Sequence, residues 1–300
     1  MNRPAPGHRT SQLPDILVDA GATLGEGPVW DDQQQRLLWV DILPGLVHRF
    51  DPATGGDDVF GAGKPIGAVG LRRAGGLVMA VADGFALLDQ GWQQLQQVAV
   101  IEHGGPRARF NDGKCDPAGR FLAGTMAYDL TAEAGCLYRL DPDWSVTRLL
   151  PGVTISNGLA WSGDGTTLHY IDSPTQGIDA FDYDPGTGRL ANRRRLVEIP
   201  PDAGLPDGIT IDEDGCLWVA LYGGSAVHRY TPAGKLDGTV SFPATNITCP
   251  VFGGPGLGVL YVTSARDGLD ERALAAQPHA GAVFAADVGT RGLPANRFGG

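Results

Sequence analysis

Residues 112–126 read DGKCDPAGRFLAGTM. A strand-like piece ending at Cys115 runs into Asp116-Pro-Ala-Gly119, a tight turn, and out again into the apolar strand FLAGTM. Asp and Pro preset such a turn, and Gly supplies the positive φ that closes it. Five further stretches repeat the pattern: GPVWDDQQQRLLWVD from Gly27, GAVGLRRAGGLVMAV from Gly67, GLAWSGDGTTLHYID from Gly158, DGITIDEDGCLWVAL from Asp207 and PVFGGPGLGVLYVTS from Pro250. Each is followed by a third strand-like piece and a second turn, as in LVHRFDPATG, CLYRLDPDW, IDAFDYDPGTG and AVHRYTPAG.

Aligned on their first turns, the stretches place Trp30, Leu71, Cys115, Trp161, Ile211 and Phe252 in one column, with spacings of 41, 44, 46, 50 and 41 residues. A period of about 40–50 residues with three or four short strands per unit is the pattern of a β-propeller. A helical solenoid would show a 3.6-residue apolar period, and only DERALAAQP, around Asp270–Gln277, looks helical. Six units predict an all-β, six-bladed β-propeller that fills 1–300 as a single domain, with 1–14 and 289–300 as flexible tails. The leading strand PDILVDA, around Asp15–Ala20, has no repeat of its own and is expected to join the last blade and close the ring, removing two sheet edges.

Composition agrees. Of 300 residues, 45 are Gly and 22 Pro, which suits a turn-rich chain, while 42% hydrophobic content is enough for a core. No run approaches the ~18 apolar residues of a membrane helix. A net charge of −11 argues against a nucleic-acid partner, which needs clustered Lys and Arg. The N-terminus MNRPAPGHRT has no apolar signal-peptide core, so a cytoplasmic protein is expected. Cys115, Cys136, Cys216 and Cys249 form no CxxC pair and read as small buried hydrophobes in a reducing compartment.

Four residues before the turn column stand Glu26, Gly67, Asn111, Asn157, Asp207 and Thr248. Equivalent positions at the start of innermost strands meet at one end of a propeller's channel, so Glu26, Asn111, Asn157 and Asp207 should converge. Asn-Gly and Asp-Gly are common turn dipeptides. That explanation handles four polar residues at one register poorly, and it does not cover Glu26. Oxygen-only ligands with two carboxylates suit a hard divalent cation such as Ca²⁺, Mg²⁺ or Mn²⁺; Zn²⁺ is less expected without His or Cys. Three or so protein oxygens leave positions for water and substrate. No GxSxG, Walker A, HExxH or Rossmann GxGxxG motif is present. His169 and His228 read as core or channel-wall residues, and His103 as a weak candidate for substrate contact.

The chain resembles the regucalcin (senescence marker protein)/gluconolactonase family of six-bladed propeller lactonases. The resemblance rests on GEGPVW at Gly25–Trp30, RFNDGKCDPAGRFLAGTM at Arg109–Met126, ISNGLAWS at Ile155–Ser162, AFDYDPGTG at Ala180–Gly188, PDGITID at Pro206–Asp212 and TSARDG at Thr263–Gly268. It implies Glu26, Asn157 and Asp207 as metal ligands, with Asp207 also the general acid/base. Arg109 and Asn111 match substrate-binding positions. Asp129 stands where animal members carry a substrate-binding Glu, one methylene longer. The implied cofactor is one divalent cation, Ca²⁺ ahead of Mg²⁺, Mn²⁺, Zn²⁺ or Fe²⁺. The implied reaction is hydrolysis of an aldonolactone, gluconolactone-like or a pentonolactone, to the sugar acid. The alternatives are a non-enzymatic calcium-binding or regulatory propeller and a phosphotriesterase-type propeller hydrolase. The expected partner is a small-molecule sugar lactone, with no nucleic acid and no membrane, the protein being a monomer or weak homo-oligomer.

Overall fold

The computed structural model describes residues 14–102, 105 and 107–300. His103 and the expected N-terminal tail, apart from Pro14, lie outside the described residues. The fold is all-β, built of curled antiparallel sheets in the manner of a propeller.

Strand β1 (Asp15–Val18) precedes four sheets of four strands, each paired in chain order. They are β2–β5 (Gly25–Asp31, Arg36–Asp41, Leu46–Phe50, Asp57–Gly61), β6–β9 (Ile66–Leu71, Leu77–Val81, Gly84–Leu88, Leu95–Val100), β10–β13 (Ala108–Cys115, Phe121–Ala127, Gly135–Leu140, Val146–Val153) and β14–β17 (Ser156–Trp161, Thr167–Asp172, Gly177–Asp184, Arg189–Glu198). The last strands, β18–β21 (Leu205–Ile211, Leu217–Tyr222, Ala226–Tyr230, Leu236–Ser241) and β22–β24 (Asn246–Gly253, Val259–Ala265, Val283–Asp287), share an eight-stranded sheet with β1. Within it β18 to β21 pair in order, as do β22 to β24, and the single pair Tyr222↔Asn246 joins the two runs. β1 pairs with β24 through Ile16↔Phe284, where the leading strand was expected. The helix expected near Asp270 is α1 (Glu271–Ala276), with the Asp270 side chain accepting from Ala273 N.

In each four-stranded run the first two strands are largely buried, and the fourth is largely exposed or half-buried. β6 and β7 are buried throughout, whereas β17 (RLANRRRLVE) is mostly exposed. The sequence dictates this order. Strands covered on both faces read as continuous apolar text, such as LVMAV of β7, while charge on the outer strand blunts an open edge. The buried side chains gather into six clusters, each lying between neighbouring runs. Aromatic pairs mark three of these seams: Phe85–Phe110 at 5.1 Å, Trp218–Phe252 at 5.6 Å and Trp30–Tyr261 at 5.6 Å. First strands of adjacent runs approach so closely that a Cβ on Gly67 would sit 2.5 Å from Asn111 O, and one on Gly208 2.3 Å from Cys249 Sγ.

Residues 289–300 were expected as a flexible tail. Instead they are bound into the fold. Phe298 is fully buried, its N–H donating to Leu71 O (2.8 Å) and its carbonyl accepting from Arg73 N (2.9 Å). Arg297 pairs with Asp31 (2.7 Å) and Asp32 (2.8 Å), and Gly292 N donates to Leu257 O (3.0 Å). A cavity of about 370 Å³ lies between this segment and the far ends of the first strands, lined by Val29, Val69, Lys114, Trp161, Ile211 and Leu293 among others. Phe298→Ala should therefore cost about 3–5 kcal/mol, the usual loss for a buried aromatic. Urea unfolding reads this directly, and a change within ~0.5 kcal/mol, the usual range for surface substitutions, would return the segment to the status of a tail.

Among the described residues no helix is long and apolar enough to cross a membrane. All four cysteines are free; Cys115, Cys216 and Cys249 are buried as expected, whereas Cys136 is only partly buried.

Candidate active site

Glu26, Gly67, Asn111, Asn157, Asp207 and Thr248 lie on β2, β6, β10, β14, β18 and β22, the first strand of each run. In every one of these strands the pairing register breaks at the column: between Glu26 and Val29, Ile66 and Ala68, Phe110 and Gly113, Ser156 and Leu159, Pro206 and Ile209, and Ile247 and Pro250. An extra residue on one strand bends it and re-aims its side chains. This is why small or turn-forming residues follow the column. They serve an irregularity within the strand, and the turn lies five residues on.

Glu26, Asn111, Asn157 and Asp207 are all buried. Asn111 Nδ2 donates to Ser156 O (2.9 Å), the carbonyl just before Asn157. Arg109, on the same strand as Asn111, donates from its guanidinium to Asn111 Oδ1 (2.6 Å) and Phe110 O (3.0 Å). Asn157 Nδ2 donates to Ser173 Oγ (3.0 Å), and Glu26 Oε2 accepts from Gly27 N (2.8 Å). Thr248 Oγ1 donates to Gly25 O (2.6 Å), tying β22 to β2 beside Glu26.

The buried carboxylates feel one another's charge. Burial pushes Glu26 up to about 8, assisted by the charge of Asp112 and opposed by Gly27 N–H, Arg109 and Lys114. Burial also holds Asp207 well above the carboxylate range, and the charges of Glu26 and Asp112 add to it. The Asn157 carboxamide and Arg109 pull the other way. Burial draws the Arg109 guanidinium down, against the charges of Tyr128, Glu26, Asp267 and Asp207.

Two oxygens in this group, Asn157 Oδ1 and Asp207 Oδ1, are buried with no hydrogen-bond partner among the described residues. An unsatisfied buried polar atom costs about 1–3 kcal/mol, more where it is charged. Buried charges persist where they are paired or hold a metal. Glu26, Asn157 and Asp207 therefore fit a hard divalent cation: oxygen donors only, two of them carboxylates, two oxygens otherwise unsatisfied. Among the described residues no three His, Cys, Asp or Glu side chains gather as a metal site.

Asp129 stands apart from the hydrogen-bonded group. It is exposed, just beyond β11, and its Oδ1 accepts from Thr131 N (3.1 Å) and Thr131 Oγ1 (2.7 Å). His169 and His228 lie on β15 and β20, off the first strands; burial pushes His169 down to about 4. Three participants escape a reading by column. Asp112 is buried beside the carboxylates with Oδ2 unpartnered. Lys114 Nζ donates to Ile209 O (2.7 Å), bracing β10 against β18. Tyr128 packs on the Arg109 guanidinium, 6.0 Å from ring centre to guanidinium carbon.

Residues 24–266 match the SMP-30/Gluconolactonase/LRE-like region family. The chain belongs to that family. This gluconolactonase-family chain is 43% identical to regucalcin of Xenopus laevis over 95% of its own length and 98% of the relative's. It is 38% identical to the Bacillus subtilis (strain 168) protein named "Putative sugar lactone lactonase YvrE", again over 95% and 98%. Its fold superposes on the structure of a calcium-binding protein, regucalcin, from Agrobacterium tumefaciens str. C58 with a TM-score of 0.91, at 29% identity and over 96% and 97% of the two chains.

Proposed function

We propose that this member of the gluconolactonase family is a metal-dependent lactonase that opens an aldonolactone, gluconolactone-like or a pentonolactone, to the free acid. The observation that carries this reading is the convergence of Glu26, Asn157 and Asp207, with two buried oxygens left unpartnered among them. The eight-stranded sheet counts as two blades joined at one pair, so the whole is a single-domain, six-bladed propeller closed by β1. Six inter-run clusters support that count.

Glu26, Asn157 and Asp207 would hold the cation, Ca²⁺ first. When bound, it would polarise the lactone carbonyl and lower the pKa of nearby water. The chain's residues supply the rest. Asp207 takes the proton from the water that adds to the carbonyl carbon. As the ring C–O bond breaks, Asp207 returns a proton to the departing ring oxygen, leaving acid and alcohol in one chain. Arg109 and Asn111, already locked to each other, hold the substrate's oxygens. Asp129 is the remaining candidate for the outer hydroxyl groups.

The same residues would hold calcium in a protein without hydrolytic activity, a reading favoured by the Agrobacterium relative's description as a calcium-binding protein. Two variants test the division of labour. Asn157→Ala should weaken Ca²⁺ binding measured by calorimetry, with activity partly restored by excess cation, because a carboxamide gives a ligand and moves no proton. Asn111→Ala should leave Ca²⁺ affinity nearly unchanged and alter KM or kcat for the lactone. Loss of cation binding by Asn111→Ala would move Asn111 into the ligand set and refute its assignment to substrate.

A further inference from the structure

At the edge of the site two guanidinium groups share one aromatic ring. The Arg107 guanidinium carbon lies 4.7 Å from the centre of the Tyr128 ring, and that of Arg109 lies 6.0 Å from it. The arrangement is fixed by backbone as well as by side chains, since Tyr128 N donates to Arg107 O (3.0 Å). Arg109 is buried and spends one nitrogen on Asn111 and Phe110; Arg107 is exposed. Among the described residues neither pairs with a carboxylate, whereas Arg120, Arg139, Arg193, Arg195, Arg229 and Arg297 all do. The acidic side chain next to Tyr128, Asp129, has one carboxylate oxygen committed to Thr131. The other charges felt by Arg109 are Glu26, Asp207 and Asp267, of which the first two belong to the cation's set.

A guanidinium stacked on an aromatic face is held in place without using its N–H donors, which stay in the plane of the group. Such a fork matches two oxygens of a carboxylate or phosphate. Stacking also removes much of the side-chain entropy that an exposed arginine would otherwise lose on binding. In a chain of net charge −11, an unpaired basic pair at the site runs against the overall field and gives a local focus for an anion.

We propose that the lactone hydrolysed here carries an anionic group, a carboxylate or a phosphate, on the carbons outside its ring, and that Arg107 and Arg109, braced on Tyr128, receive it. This rests on the lactonase reading and narrows it from aldonolactones in general to acidic sugar lactones. Arg107 is the specificity-determining residue, because Arg109 also serves the ring.

The test compares kcat/KM for three lactones on the cation-loaded protein: neutral glucono-1,5-lactone, glucaro-1,4-lactone with its carboxylate, and 6-phosphoglucono-1,5-lactone. At least one acidic lactone should exceed the neutral one by about tenfold or more, and raising salt to about 0.3 M should narrow the gap. Which of the two leads identifies carboxylate or phosphate as the group. Arg107→Ala should lower kcat/KM for the preferred acidic lactone by about 10–100-fold more than for the neutral one, the worth of a charge-assisted hydrogen bond, with the change in KM. Arg107→Lys should recover part of it. Equal rates for neutral and acidic lactones, or an equal fall for all three in Arg107→Ala, would overturn the inference and leave the lactonase reading standing. Hydrolysis of none of the three would overturn the inference, and the lactonase reading would fall with it only if no pentonolactone were opened either.

Discussion

Asp207→Asn is expected to lower kcat by more than the ~10²–10⁴-fold typical of losing a general acid–base group, even at saturating cation. The substitution keeps an oxygen at the same reach and the same shape in a buried position. In the proposed mechanism it removes one of the two carboxylates offered to the cation, Glu26 being the other, and it removes the group proposed to move protons. Both losses act on one residue, so cation affinity and turnover should fall together. The two roles separate on titration with excess Ca²⁺. Binding recovers with cation; turnover does not, because an amide cannot take the proton from water. Recovery to near wild-type turnover would make Asp207 a ligand only and send the search for the base to Asp112, the other buried carboxylate with an unpartnered oxygen.

A second large effect, on stability, should come from a residue far from the chemistry. Asp116 is fully buried, at the turn between β10 and β11. Its Oδ1 accepts from Arg120 N (2.7 Å), and its Oδ2 takes Arg120 (3.0 Å) together with the Tyr183 hydroxyl of the neighbouring sheet. Arg120 in turn donates to Pro185 O (2.7 Å) and Gly186 O (2.8 Å), so one ion pair fastens two sheets. Breaking a buried pair from one side typically costs 3–5 kcal/mol, because the remaining charge is left uncompensated. Asp116→Ala should lose about that much, a fall in Tm on the order of 10 °C. Asp116→Asn should lose less, since it keeps the turn's acceptor. A shift of a degree or two for the alanine variant, by calorimetry, would refute the fastening role.

Asp31 and Asp212 occupy the same register as Asp116 and pair with Arg297 and Arg229. Their presence marks what a sequence can and cannot disclose here. The turns are legible, because Asp, Pro and Gly at fixed offsets leave little else to form. The arginine partners are not legible, since Arg297 reaches Asp31 from 266 positions away. The candidate-site column is legible for the same reason as the turns: repetition turns distant positions into equivalent ones, so Glu26, Asn157 and Asp207 could be placed together before any contact was known. Asp112 was hidden by the bulge at β10. Regular alternation sends the residue after Asn111 to the opposite face, and only the register break between Phe110 and Gly113 allows both to serve one site. The segment Arg291–Gly300 was hidden because it carries no period of either kind. Its order comes from individual anchors such as Phe298 and Arg297, and a lone Phe in Gly- and Pro-rich text looks the same whether buried or loose.

The measurement that bears most directly on the proposed activity is acid release from a panel of hexono- and pentonolactones, followed by pH-stat, with the protein cation-loaded, chelated, and reloaded. The expected result is hydrolysis well above the spontaneous rate for at least one lactone, abolished by chelator and restored by adding Ca²⁺ or another hard divalent cation. No cation-dependent rate above background for any lactone, with Ca²⁺ still bound, would contradict it and leave a calcium-binding propeller in its place.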